Sequence, residues 1–351
     1  MKTSSPTILF MGTPTFAATA LSGLVDAGFD VVGVVTRPDT NKGRSGVKSP
    51  SAVKIEADKH EIPVLQPEDK AELTEMVREI NPELIVVAAF GMIIPQAVLD
   101  IPKYGALNIH GSLLPKYRGA SPIAEAILSE DKKTGITIMK MNAGMDEGPI
   151  ISQYTLPVFS PVIPSVAEES LSNIPEGSRE QEPALSESRM GRDDKEEGDT
   201  TASLSIKMAE LGAKAIIETI PSWVSGELKA IPQDKTKATY CKRLTKEDGH
   251  IDWGQPAERI ERMVRAYQPW PTAYTFAGES RIKILKAGWV PGLRPGMTEL
   301  AGVLHFEDGH IFVCTGEGTL EILELQPEGK KPMSAKDFIN GNQQIDGTRL
   351  S

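Results

Sequence analysis

Three apolar runs, TILFMG (7–12), DVVGVVT (30–36) and ELIVVAAF (83–90), constrain the fold of this 351-residue chain more than any other feature. None alternates polar with apolar residues, so each reads as a strand buried on both faces. Strands of that kind sit in a parallel sheet covered by helices on either side. Between the runs the apolar spacing is helical, over 16–27 and again over 67–80. The alternation continues with a helix over 52–60, a short strand over 63–65, a helix over 95–99, strand GALNIHG (105–111), a helix over 121–129 and strand GITIMKM (135–141). The expected architecture is α/β, with a doubly wound, mostly parallel Rossmann-like sheet. After the first strand the chain reads GTPTFA (12–17) rather than GxGxxG. Without the second and third glycines a pyrophosphate cannot approach the helix N-terminus, which disfavours a dinucleotide.

Residues 162–198 are rich in Ser, Glu, Pro and Gly and hold no sustained period, the composition of a disordered or weakly ordered insertion, bounded here as 160–199. Helical spacing returns over 202–223, a polar linker follows over 226–239, and from 240 a helix (256–267) precedes five short β-patterns separated by Gly-containing turns. These patterns predict a small, OB-like β-barrel. The expected division is therefore a sheet domain over 1–225, a linker over 226–239 and a C-terminal barrel over 240–351. The longest apolar run, residues 84–94, is well short of the roughly 18 to 20 residues that cross a bilayer, and the N-terminal apolar stretch reads as a strand rather than a signal peptide, so the cytoplasm is the expected location. Cys241 and Cys314 are the only cysteines, with no CxxC and no histidine pair at ligand spacing, so neither a disulfide framework nor a metal site is expected.

The net charge of −10 is unevenly spread: residues 160–199 carry 11 acidic and 4 basic side chains, whereas residues 37–54 carry 5 basic and 1 acidic. A local basic loop binds phosphates whatever the total charge. The chemistry-bearing residues lie elsewhere. Asn108 and His110 are two apart on the strand over 105–111, so they share a face near the strand's carboxyl end, where open α/β sheets bind ligands. Asp146 follows the next strand within MNAGMDEGP (141–149) and reaches the same edge. Such a trio can orient an imidazole, move a proton and donate to an oxyanion. It can equally be a set of backbone caps and a turn residue, and spacing alone leaves the two balanced.

GALNIHGSLLPKYRGASPI (105–123), with Asn108, His110 and the SLLPxYRG run, resembles the 10-formyltetrahydrofolate-dependent formyltransferases, and the MDEGP loop fits the same pattern. MGTPTFA (11–17), the RPD…KGR loop (37–44), TKEDGHIDW (245–253) and RAYQPWPTAYT (265–275) extend the likeness over about 1–157 and 200–330. The resemblance implies an enzyme that moves a formyl group from 10-formyltetrahydrofolate to the α-amino group of methionine on initiator methionyl-tRNA, without a metal, as a monomer needing no other protein. It implies Asn108, His110 and Asp146 as the catalytic group. Ser112, Leu113, Leu114 and Pro115 would border the folate, and Phe90, Gly91, Met92 and Ile94 would wall the pterin pocket largely with backbone. Lys42 and Arg44 would touch the tRNA, with Lys235, Lys237, Lys242, Arg243 and Lys246 tracking its backbone, although residues 235–351 carry 16 bases against 15 acids. An amino sugar nucleotide or glycinamide ribotide as acceptor is the nearest alternative.

Deleting residues 164–197 and rejoining the chain is expected to leave formyl transfer nearly intact, because the segment has too few apolar residues to repay its ordering entropy. Loss of activity in a folded deletion variant would assign the segment to substrate contact or to positioning of the neighbouring Asp146 loop.

Overall fold

Strand β1 (Ile8–Gly12) runs parallel to both of its neighbours, β2 (Val31–Val35) and β6 (Leu84–Ala88), and every residue of β1 and β6 is buried. The computed structural model describes residues 5–41, 48–161, 198–290 and 301–351, which divide into two compact units. The first takes in residues up to 126, 133–157 and 203–243; the second 127–132, 158–202 and 244–351.

In the first unit, seven strands lie in the order β10-β9-β7-β6-β1-β2-β5. Strand β5 (Val64–Leu65) continues the parallel run beside β2, and β7 (Ala106–His110) continues it beside β6. The last two strands, β9 (Lys133–Lys140) and β10 (Ile150–Pro157), are antiparallel to their neighbours. The sheet is therefore mostly parallel, with an antiparallel margin. From Ser152 to the end of β10 half-buried positions alternate with exposed ones, as one wetted face requires. Short ladders supplement the sheet: β3 (Thr40–Asn41) pairs with β4 (Lys48–Ser49), and β8 (Arg118–Gly119) pairs in parallel with β11 (Tyr240–Cys241).

The connecting helices are α1 (Thr15–Asp26), α2 (Ala52–Lys59), α3 (Lys70–Ile80), α4 (Gln96–Leu99), α5 (Pro122–Leu128) and α6 (Thr201–Val224). Strand order reverses between β1 and β6, and past their carboxyl ends the two following loops are joined by Thr13 Oγ1 donating to Phe90 O at 2.8 Å. Gly12 makes the turn into α1 possible, since a Cβ there would lie 2.6 Å from Ala17 Cβ and 2.9 Å from Ala88 O. Gly212 lets α6 approach the sheet, where a Cβ would come within 2.9 Å of Ile109 Cγ2. Residues 226–239, whose polar composition suggests a linker, are held to this unit together with 240–243. Ile231 exchanges two backbone hydrogen bonds with Ile150 (2.8 and 2.7 Å), and Lys235, Lys237, Lys242 and Arg243 fold with it.

The second unit is a curled antiparallel half-barrel. Its strands are β12 (Tyr274–Ala277), β13 (Ser280–Val290), β14 (Leu304–Glu307), β15 (His310–Cys314), β16 (Thr319–Pro327) and β17 (Met333–Ser334), in the order β12-β13-β16-β15-β14 with β17 also on β16. Register shifts between Ile284 and Lys286, and between Lys286 and Ala287, bend β13 against β16, and the curl follows from such bulges. Helix α7 (Ala257–Ala266) and α8 (Ala335–Gly341) contribute Ile260, Val264, Phe338 and Ile339 to the core under the sheet. In the same unit, Phe159 and Asp199 exchange backbone and side-chain hydrogen bonds. Asp199 O also accepts from the buried guanidinium of Arg265, which pairs with Glu261 at 2.6 and 3.0 Å.

Gly135→Ala is expected to lower stability by about 1–3 kcal/mol, because a Cβ on β9 would run into the carbonyl oxygen of Tyr154 on β10. Thermal denaturation checks this; an unchanged Tm would mean that the two strands part without cost.

Candidate active site

Asn108 and His110 stand at the carboxyl end of β7, 9% and 6% exposed, and both face Asp146. Asn108 Nδ2 donates to Asp146 Oδ1 at 3.4 Å, and His110 Nδ1 lies 3.7 Å from that same oxygen. The second carboxylate oxygen accepts from the backbone N–H of Gly119 at 2.9 Å. The three residues that the sequence marks are therefore brought together around one carboxylate. His110 Nε2 sits 3.0 Å from the Tyr117 carbonyl, which can only accept, so Nε2 carries a hydrogen and Nδ1 is the lone-pair nitrogen of the neutral ring. A proton gained by this imidazole arrives on Nδ1, opposite the carboxylate.

Sequence reasoning did not single out the residues that hold Asp146. Its backbone is left-handed, φ 49°, a conformation that Asp tolerates better than most residues. Gln233 Nε2 donates to Asp146 O (2.8 Å) and to Gly148 O (2.7 Å). Gln233 Oε1 in turn accepts from Nε (3.0 Å) and Nη2 (2.7 Å) of Arg118, which is only 2% exposed. Arg118 Nη1 donates to the Tyr240 hydroxyl oxygen at 3.2 Å and lies 3.9 Å from Glu147 Oε2. Gly119, at φ 116°, has no room for a Cβ against the Cys241 carbonyl. Cys241 is buried here, and burial pushes its thiol above the usual range, so it stays protonated at neutral pH. Arg118 lies inside the YRG stretch of the sequence likeness; Gln233 lies in polar, surface-type sequence that carries no signal.

The residues expected to border the folate fall at the same sheet edge. Ser112 is fully buried and its hydroxyl donates to Lys116 O at 2.5 Å. Leu114 N donates to Thr137 Oγ1 (3.0 Å) and Leu114 O accepts from Gln153 (2.8 Å), so the stretch from Ser112 through Leu113 and Leu114 to Pro115 is pinned to β9 and β10. Phe90 and Ile94 point into the apolar cluster with Leu9, Met11 and Val35, and Met92 packs partly against it. That anchoring leaves backbone, Gly91 included, and the exposed Ile93 to face outward. Arg37 Nη1 donates to Gly91 O (3.0 Å), and Lys54 donates to Asp39 (3.0 Å) and to Gln66 (2.9 Å). The Gln66 and Lys54 hydrogen bonds hold the Asp39 carboxyl below its usual range. Two of the five basic residues over 37–54, Arg37 after β2 and Lys54 on α2, are thus engaged in structure; Lys42 and Arg44 lie outside the described residues. Among the described residues no cluster of His, Cys, Asp and Glu is arranged to hold a metal, and no helix is long and apolar enough to cross a membrane.

A family model described as formyl transferase matches residues 7–182, and one described as formyl transferase, C-terminal domain, matches residues 243–343. The chain belongs to the formyl transferase family. Its similar relatives include the methionyl-tRNA formyltransferase of Halalkalibacterium halodurans, 41% identical over 339 residues that cover 95% of this chain and 94% of the relative. That of Chloroflexus aggregans is 40% identical, covering 95% and 96%. Among solved structures, a substituted variant of HypX from Aquifex aeolicus superposes with a TM-score of 0.58 at 16% identity, covering 97% of this chain and 48% of that one, so this chain spans about half its length. WlaRD, a sugar 3N-formyl transferase solved in the presence of dTDP and 5-N-formyl-THF, superposes with a TM-score of 0.58 at 18% identity, covering 93% and 98%. At these identities the two structures share the fold.

Gln233→Ala strips the buried Arg118 of its main acceptor and frees the Asp146 loop. It is expected to lower kcat for formyl transfer by about 10- to 100-fold, as misplacement of a reacting group does. Gln233→Glu keeps the acceptor but has no N–H for the two carbonyls and is expected to fall short as well. Unchanged kcat in a folded Gln233→Ala would remove the clamp from the site.

Proposed function

We propose that this protein transfers the formyl group of 10-formyltetrahydrofolate to the α-amino group of methionine on initiator methionyl-tRNA. It does so in the cytoplasm, as a monomer without an obligate protein partner. The observation that carries the chemistry is the convergence of Asn108, His110 and the Gly119 N–H on the two oxygens of Asp146. The acceptor rests on relatives about 40% identical over 95% of the chain that bear the name methionyl-tRNA formyltransferase.

The folate fits the carboxyl edge of the sheet. The backbone after β6, held from beneath by Phe90 and Ile94, and the pinned Ser112–Pro115 stretch form two rigid borders of that edge. When bound, the folate supplies the formyl carbon as electrophile and its N10 as leaving nitrogen. Asn108 uses one amide N–H on Asp146 and has the second to donate to the oxygen on which negative charge develops. His110 Nδ1 takes the proton that the attacking amine must lose, and the imidazolium so formed faces Asp146. The same proton passes to the leaving nitrogen as its bond to the formyl carbon breaks, so that this nitrogen departs as a neutral amine and the imidazole is restored. Lys42 and Arg44, by their charge and place in the sequence, receive the tRNA phosphates, and the C-terminal half-barrel adds contacts along the RNA backbone, Lys246 among them.

Asp146→Asn and His110→Ala are each expected to lose at least about 100-fold in kcat while remaining folded. The assay is formyl incorporation into charged initiator tRNA, run beside an amino sugar nucleotide as acceptor. Wild-type turnover in either variant would remove that residue from the mechanism, and preference for the sugar would replace the acceptor.

A further inference from the structure

We infer that Tyr240 is the stacking platform for the base of the 3′-terminal nucleotide of the acceptor tRNA; this rests on the aminoacyl-tRNA acceptor proposed above. Tyr240 is 65% exposed, so the fold gains little from burying its ring. The ring is nonetheless fixed. Its hydroxyl accepts from Arg118 Nη1 at 3.2 Å, and the Arg118 guanidinium carbon lies 5.8 Å from the ring centroid. An exposed aromatic side chain ordinarily keeps its rotamer freedom, and here a buried cation removes it. The same guanidinium, through Gln233, holds the carbonyls of Asp146 and Gly148. Tyr240 also sits opposite Arg118 in the parallel ladder, one residue from the Gly119 N–H that binds Asp146. The ring is thereby set in a defined position relative to the reacting groups.

The acceptor's chemistry supplies the occupant. The amine to be formylated is carried on an ester of the terminal ribose, so its base lies within one nucleoside of the Asn108–His110–Asp146 cluster whenever the amine is there. The guanidinium sits at the hydroxyl end of the ring, its carbon 5.8 Å from the centroid, and the exposed ring offers a π-face on which a base can stack. Glu147, whose carboxylate lies 3.9 Å from Arg118 Nη1, makes this a poor place for a phosphate and a good one for ribose hydroxyls. A terminal nucleoside answers both conditions. Base–aromatic stacking of this kind strengthens binding about tenfold per base and tolerates any base, because every base has a π-face.

The test is a double-mutant cycle across the contact. Wild type, Tyr240→Leu and Tyr240→Phe are each assayed on initiator methionyl-tRNA ending in adenosine and on the same tRNA ending in a base-free ribose. For the wild type, removal of the base is expected to lower kcat/KM about tenfold; for Tyr240→Phe, which keeps the ring but loses its hydrogen bond to Arg118, by a smaller factor of about three- to fivefold; for Tyr240→Leu, about twofold or less. If Tyr240 only braces Arg118, Tyr240→Leu lowers both tRNAs alike and the tenfold dependence on the base persists, which overturns the inference, as does a wild type indifferent to the base. A wild type that formylates neither tRNA overturns the acceptor assignment, and this inference with it.

Discussion

A guanidinium almost out of reach of water, tied to one side-chain amide, is the contact on which the site depends. Arg118 is charged and 2% exposed, and Gln233 Oε1, 115 residues away in the chain, takes two of its N–H groups. A buried charge without such partners is costly, and removing one partner costs more than the net worth of the contact. Because the same amide donates to the Asp146 and Gly148 carbonyls, satisfying the cation and shaping the loop are one event. The sheet presents Asn108 and His110; the carboxylate that both face is placed only after the chain has run through α6 and returned with residues 226–243.

This explains what the sequence makes legible and what it hides. The apolar runs at β1, β2 and β6 identify a parallel core because burial on both faces leaves no polar alternation. Asn108 and His110 stand out because polar residues inside such a strand need a reason, and Asp146 because its loop ends at the same edge. The direction of β9 is not written in its apolar pattern, since an apolar run reads alike in a parallel and an antiparallel neighbour. Composition also misjudges residues 226–239: nearly all are exposed or half-buried, as their polarity says, yet they are attached through backbone bonds at Ile231 and through the amide of Gln233. Polarity reports contact with water, and says nothing of which hydrogen bonds the exposed stretch makes.

The basic loop shows a similar limit. Counting charges over 37–54 treats every cation as available for phosphate, whereas Arg37 is spent on the Gly91 carbonyl and Lys54 on Asp39 and Gln66. Both contacts tie the end of β2 to its surroundings, and Arg37 reaches the backbone that follows β6. A charge that anchors the backbone after β6 is not one that steers RNA, so the electrostatic attraction of this loop is smaller than its composition suggests.

An amide, an imidazole and a carboxylate around one reacting carbon would serve any amine, because nothing in their geometry refers to what the amine is attached to. Acceptor choice must therefore lie at the rim, in groups that the shared chemistry does not use. The clamp joins the two. Arg118 is buried to fix Asp146 on one side, and one of its remaining N–H groups holds an exposed tyrosine on the other. A rim element coupled to the core in this way ties recognition of the acceptor's end to the position of the carboxylate, so that binding the correct end and orienting the reacting groups draw on the same set of hydrogen bonds.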